Sequence, residues 1–312
     1  MKLATFTVGK ETLVGAVDGN ELVVIDVPDM RTLFELGHPV TGPAKERMTK
    51  RRFKLADVRL RAPIMPKKIF HTAGNYAEHG EEGKKANWVA EIHPWIMFFQ
   101  NPDAIIGPDD PVIYPEHLTK ELDYELEFCM VIGKAAKHLS VEEAASVIGG
   151  YLIFNDITAR DIQRREMQSK NFVFSKSIDS FCPFGPWIVT ADEIPDPYKL
   201  DLLLTVNGEK RQISNTSRLL VTLPSVVQQK KRKTEHEEQN QSLGVHTRVR
   251  LALSFAQFGR EWPPDPAAQL LRLPAPARPA PERPDPSWEA RDTLHETLRV
   301  SAAWPDCDPP IC

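Results

Sequence analysis

Residues 121–127 read Glu-Leu-Asp-Tyr-Glu-Leu-Glu, so Glu121, Asp123, Glu125 and Glu127 alternate with Leu122, Tyr124 and Leu126. Successive side chains of a β-strand point to opposite faces, so an extended backbone would line the four carboxylates along one face. Like charges that close repel, and strands are generally poor in acids. A divalent cation turns the repulsion into attraction, and hard ions such as Mg2+, Mn2+ or Ca2+ take oxygen ligands. Two acids at i and i+2 can share one ion if a third ligand arrives from elsewhere. Asp156, directly after the apolar run Tyr-Leu-Ile-Phe-Asn, is the candidate. The alternative is an acidic row that only faces water, and the pattern alone favours neither.

Other residue pairs could do chemistry beside such a centre. His79 lies three residues before Glu82, so one helical turn would bring them together, and a histidine held by a carboxylate can activate water. An exposed helical pair without function has the same spacing. Lys176, in Phe-Ser-Lys-Ser-Ile-Asp-Ser, could hold an anionic substrate or stabilise an enolate, or it could be an ordinary surface lysine. Arg160 and Gln163 follow Asp156 at a spacing that places both on one helical face. They could present donors to a substrate carboxylate, or Arg160 could pair with a nearby acid.

The elements that would position these groups are legible in part. The chain has 312 residues, 41% hydrophobic and 26% charged, with a net charge of −4. That suits a globular protein and gives no reason to expect nucleic acid as a partner. The four cysteines are widely spaced, which argues against a zinc cage or disulfide framework and suits a cytoplasmic protein. No apolar run reaches the ~18 residues of a membrane helix, and the N-terminus lacks a signal-peptide core. Residues 1–60 read as a small α+β module, with a hairpin turning at Asp18-Gly19-Asn20 and a helix over 30–37. Ser140 and Glu143 form a capping-box pattern before a second helix, and Ala159–Asn171 reads as a polar third. Asn207-Gly208 is the two-residue turn of a later hairpin.

Six phrases in order resemble the fumarylacetoacetate hydrolase family over roughly residues 60–227: GNYAEHGEE, AIIGPDDPVIYP, LDYELEFCMVIGK, FNDITARDIQ, SKSIDSFCPFGPWIV and VNGEKRQISNTS. The resemblance implies an α+β fold with a mixed β-roll or barrel, assembled as a homodimer. It implies that Glu125, Glu127 and Asp156 bind Mg2+, or Mn2+ or Ca2+ in its place. It further implies that Lys176 acts in catalysis, that His79 and Glu82 activate water, and that Arg160 and Gln163 contact a small oxo-acid substrate. The implied activity is hydrolysis of a carbon–carbon bond in an acylpyruvate-like β-diketo acid. A decarboxylase, isomerase or dehydratase of a related 2-oxo acid would use the same site.

Two departures stand out. The family often carries a lysine where this chain has Gln100. After Ser-Arg-Leu-Leu-Val-Thr-Leu-Pro, the family's glycine- and threonine-rich closing stretch is absent. Residues 228–312 are instead polar, then rich in proline and arginine, with twelve of the 27 prolines after Trp262. Three segments are therefore expected: a small domain over 1–60, a catalytic domain over 61–227 lacking its closing strands, and an irregular tail over 228–312 with helical fragments near 248–258 and 288–300. The missing stretch also leaves room for a third reading, a binding protein without activity.

Overall fold

The computed structural model describes residues 1–76, 97–169, 171, 173–228, 251–255 and 298–303. These residues form a mostly β structure with a few short helices, of the mixed α+β kind expected. The chain opens with a meander of β1 (Lys2–Val8), β2 (Glu11–Asp18) and β3 (Glu21–Ile25). Helices α1 (Met30–Leu36) and α2 (Thr41–Glu46) follow, then β4 (Met48–Lys54) and β5 (Arg59–Arg61). Asp29 caps α1, its side chain accepting from the Thr32 backbone N–H at 2.6 Å.

The central part comprises β6 (Lys68–Thr72), β7 (Met97–Gln100), β8 (Ile105–Ile106), β9 (Leu122–Asp123) and β10 (Leu126–Ile132). It continues with α3 (Val141–Ala145), β11 (Ile148–Asn155), β12 (Thr158–Ala159), α4 (Arg160–Gln168) and β13 (Cys182–Thr190). Both halves of the capping box between Ser140 and Glu143 are present at α3. The last elements are β14 (Asp201–Val206), β15 (Glu209–Asn215), α5 (Leu223–Gln228), β16 (Leu251–Phe255) and β17 (Leu298–Ala303). The turn between β14 and β15 has φ of 52° at Asn207 and 84° at Gly208, the left-handed pair that Asn-Gly supplies at low cost.

One sheet carries most of the molecule. Its order is β4-β3-β2-β1-β13-β11-β10-β16-β6-β7, with β5 beside β1 and β8 beside β13. Among the described residues the path is open, so the barrel alternative is not found. One end, β4, is guarded by exposed Lys50, Arg51 and Arg52, which discourage pairing with another chain. The N-terminal strands do not make a sheet of their own, because β1 pairs with β13.

Both faces of the central strands are covered. Leu126, Phe128, Met130 and Ile132 of β10 pack into one apolar cluster with β14 and α5, while Cys129 and Val131 join α1, α2 and Phe154 in the other. This explains the apolar run Phe-Cys-Met-Val-Ile directly after the acids: a strand buried on both faces has no polar side to alternate.

The tail departs from expectation in two places. Residues 251–255, inside a stretch expected to be helical, form β16 between β10 and β6, antiparallel to the first and parallel to the second. Residues 298–303, which overlap the other expected helix, form β17 on the edge of β14. A short apolar run reads equally as helix or strand, and here the open hydrogen-bonding edges of β10, β6 and β14 decide.

Two changes test this packing. Cutting the chain after Gln228 removes β16 and should abolish a monodisperse, cooperatively unfolding species in size-exclusion and thermal melts; an unaltered melt would contradict the placement. A Cβ at Gly150 would meet the Val189 carbonyl oxygen at 2.6 Å and Ile188 Cγ2 at 2.7 Å. Gly150→Ala should therefore destabilise by about 1–3 kcal/mol in denaturant titrations.

Candidate metal centre and active site

The acidic row is not one strand. Backbone pairing stops after Asp123 and resumes at Leu126, so Tyr124 and Glu125 form a break between β9 and β10. Register then selects which acids converge. In the β10–β11 ladder Leu126 faces Asn155 and Glu127 faces Phe154, so one step further Glu125 lies opposite Asp156. Two bonds clasp this corner: Asp156 N–H donates to the Glu125 carbonyl at 2.8 Å, and Glu125 N–H donates to Asn155 Oδ1 at 3.1 Å. The side chains of Glu125, Glu127 and Asp156 are fully buried, with one carboxylate oxygen of each within 4.8 Å of the others.

The outer two acids have other partners. Glu121 is half exposed and pairs with Arg164 at 2.6 Å. Asp123 accepts from Arg160 Nε at 2.7 Å. Arg160 also lies 2.7 Å from Glu125 Oε1 and donates to Gln163 Oε1 at 2.9 Å. The Arg160–Gln163 pair thus shares a helical face as expected, and its guanidinium is aimed at the acids. β12 pairs with β9 through Thr158 and Asp123, which sets the start of α4 beside the row.

Lys176 is carried by the 3-10 turn Phe174–Lys176. Glu166 of α4 fixes that turn by accepting from the backbone N–H groups of Phe174 and Ser175 at 2.8 and 2.9 Å. The Lys176 ammonium donates to Glu125 Oε2 at 2.6 Å, Asp156 Oδ2 at 2.5 Å and Thr158 Oγ1 at 2.8 Å. A lysine nitrogen with three acceptors is an ammonium. Burial works against its charge, yet Asp156 and Glu125 together hold its pKa above the ordinary lysine value. Asp156 is pushed up to about 7, chiefly by burial and further by Glu125, with Lys176 opposing.

Three more residues join the site: Thr158 and His71, which the sequence did not single out, and Gln100, noted there only as a departure from the family's lysine. Thr158 gives Lys176 its third acceptor. His71 of β6 is fully buried, with Nδ1 3.5 Å from Asp156 Oδ2 and its ring stacked on Phe98 at 4.8 Å. Burial, and then the charge of Lys176, lower its pKa to about 3, so it is neutral. Gln100 closes β7 and donates to Asp156 Oδ1 at 3.2 Å. The available signal was a polar residue inside each of two apolar runs, Phe70-His71-Thr72 and Phe98-Phe99-Gln100. His79 and Glu82 lie outside the described residues.

The donor set fits a divalent cation. Three buried carboxylates converge, all the candidate ligands are hard oxygens, and two of them, Glu125 and Asp156, already hold the positive charge of Lys176.

Comparison with known proteins agrees with this architecture. The family model described as fumarylacetoacetate (FAA) hydrolase C-terminal matches residues 68–235. The chain belongs to the fumarylacetoacetate hydrolase family, whose relatives here are enzymes. Among them, the oxaloacetate tautomerase YisK of Bacillus subtilis is 38% identical over 179 residues, 56% of this chain and 58% of its own length. The mitochondrial oxaloacetate tautomerase fahd2 of Xenopus laevis is 33% identical over 219 residues, 67% of each chain. The match thus spans between about half and two thirds of these relatives. A crystal structure of maleylpyruvate hydrolase from Sphingobium sp. SYK-6, in complex with manganese(II) and pyruvate, aligns with a TM-score of 0.57 at 29% identity, covering 73% of this chain and 81% of that one. No helix among the described residues is long and apolar enough to cross a membrane.

The division of the acids is testable by calorimetry with Mn2+. Glu127→Gln should weaken binding by roughly tenfold or more, whereas Glu121→Gln should leave it within about twofold, because Glu121 faces Arg164 outside the cluster. Equal effects of the two changes would contradict this assignment.

Proposed function

We propose that the chain binds Mg2+ or Mn2+ through Glu125, Glu127 and Asp156 and interconverts the keto and enol forms of a small 2-oxo diacid of the oxaloacetate type. The observation that carries this reading is the convergence of three buried carboxylates, two of which, Glu125 and Asp156, are bonded to the Lys176 ammonium. A bound divalent cation would act as a Lewis acid toward the oxygens of the 2-oxo acid.

The residues supply the rest. Keto–enol exchange takes a proton from the carbon beside the carbonyl and returns one to oxygen, so negative charge grows on that oxygen between the two events. Lys176 stands at that centre with its proton count fixed by three acceptors, and its charge stabilises the developing enolate. Arg160, anchored by Asp123 and Glu125, adds fixed positive charge beside the same corner and suits an anionic substrate. Thr158 and Glu166 hold the lysine in place. No water is consumed.

Carbon–carbon hydrolysis is the second reading, favoured by the likeness to the maleylpyruvate hydrolase structure. It shares the enolate but adds a water that His79 and Glu82 would activate. The experiment follows enol–keto exchange of oxaloacetate by ultraviolet absorbance, alongside cleavage of acylpyruvates, each with Mg2+ or Mn2+. Tautomerisation should be accelerated, should stop on chelation, and should fall on the order of 10²–10³-fold in Lys176→Met. Alanine at His79 or Glu82 should spare tautomerisation and abolish any hydrolysis. Cation binding without turnover of any substrate would support the binding-protein reading and sink this one.

A further inference from the structure

Gln100 is 2% exposed and sits at the end of β7, the last strand of the sheet. It reaches the acidic corner because β7 presents Phe98 and Gln100 to the interior while Phe99 between them is half exposed. β6 supports it from the side: Ile69 is opposite Gln100 and His71 opposite Phe98. The Gln100 Nε2 group donates twice, to Asp156 Oδ1 at 3.2 Å and to the Lys176 backbone carbonyl at 2.5 Å. Both partners are acceptors, so the orientation of the amide is settled by chemistry: the nitrogen faces them. Gln100 also raises the proton affinity of the neutral His71 imidazole against the effect of burial.

We propose that Gln100 is a positioning residue for the cation site, one amide that sets the Asp156 carboxylate and the Lys176 backbone at a fixed separation. The inference rests on the reading that Glu125, Glu127 and Asp156 hold a divalent cation. Its physical content is a division of the two Asp156 oxygens. Oδ2 is bonded to the Lys176 ammonium, and Oδ1 is held by a neutral donor that adds no charge to compete with a cation. A carboxylate restrained in this way loses little rotational freedom when it ligates. Groups that orient metal ligands from behind typically change affinity 10–100-fold when removed.

The test uses the full chain and Mn2+. Gln100→Met keeps the side-chain length and removes both donors. On variant protein that is folded by circular dichroism, Mn2+ binding by electron paramagnetic resonance should weaken by roughly 10–100-fold. In wild-type protein, selectively labelled for the glutamine side-chain amides, the Gln100 resonance should move in step with Mg2+ saturation. This second measurement holds even if the variant fails to fold. Equal Mn2+ affinity in variant and wild type, or an amide resonance unmoved at saturating Mg2+, overturns the role of Gln100 alone. Absence of Mn2+ and Mg2+ binding in wild type overturns the cation reading and this inference with it.

Discussion

Glu125, Glu127 and Asp156 have no exposed surface, and carboxylates so placed are tolerable in a protein interior only against positive charge. Lys176 and Arg160 provide that charge, and each is held by groups from other parts of the chain. Glu166 fixes the turn that carries the lysine, and Asp123 anchors the arginine. Much of the local architecture serves this compensation: the break at Tyr124–Glu125, the short β9–β12 ladder and the start of α4 all lie within reach of the same corner. In the proposed function, the same cluster is where a divalent ion and an anionic oxo acid would meet.

The sheet makes the corner rigid. β10 and β11 are buried on both faces, so neither strand can slip by one residue without sending its apolar set to the wrong cluster. Register therefore aligns Glu125 with Asp156 as firmly as it aligns Phe128 with Ile153. The acids sit where the β10–β11 ladder begins, at the end of both strands. There the backbone leaves regular pairing, and side chains can be drawn inward without disturbing the core.

Several elements were legible in sequence because their signals are local. The Asn207-Gly208 hairpin, the capping box at Ser140 and Glu143, and the helix of Met30–Leu36 each depend on neighbours a few residues away. The candidate ligands were legible through their types and spacing, reinforced by the resemblance to a family. The strands in residues 251–255 and 298–303 were not. Their apolar runs are too short to distinguish the helical period from the extended one, and the partners that make them strands lie far away in sequence. His71 was not legible as a site residue for the same reason, and Gln100 only as a departure from the family's lysine, since a polar residue in an apolar run has no partner until the sheet is assembled.

By itself the sequence determined the chemistry on offer: hard oxygen ligands, a lysine, and an arginine–glutamine pair on one helical face. Alternation alone did not decide which of the four acids share a centre; the resemblance to the family implied Glu125 and Glu127 with Asp156, and only the tertiary structure decided how those three meet. The backbone break at Tyr124–Glu125 and the antiparallel register with β11 separate Glu121 and Asp123, which meet Arg164 and Arg160, from Glu125 and Glu127, which meet Asp156. Alternation along a strand is a one-dimensional rule, whereas convergence of charges is set by distances between strands, and those exist only in the folded sheet.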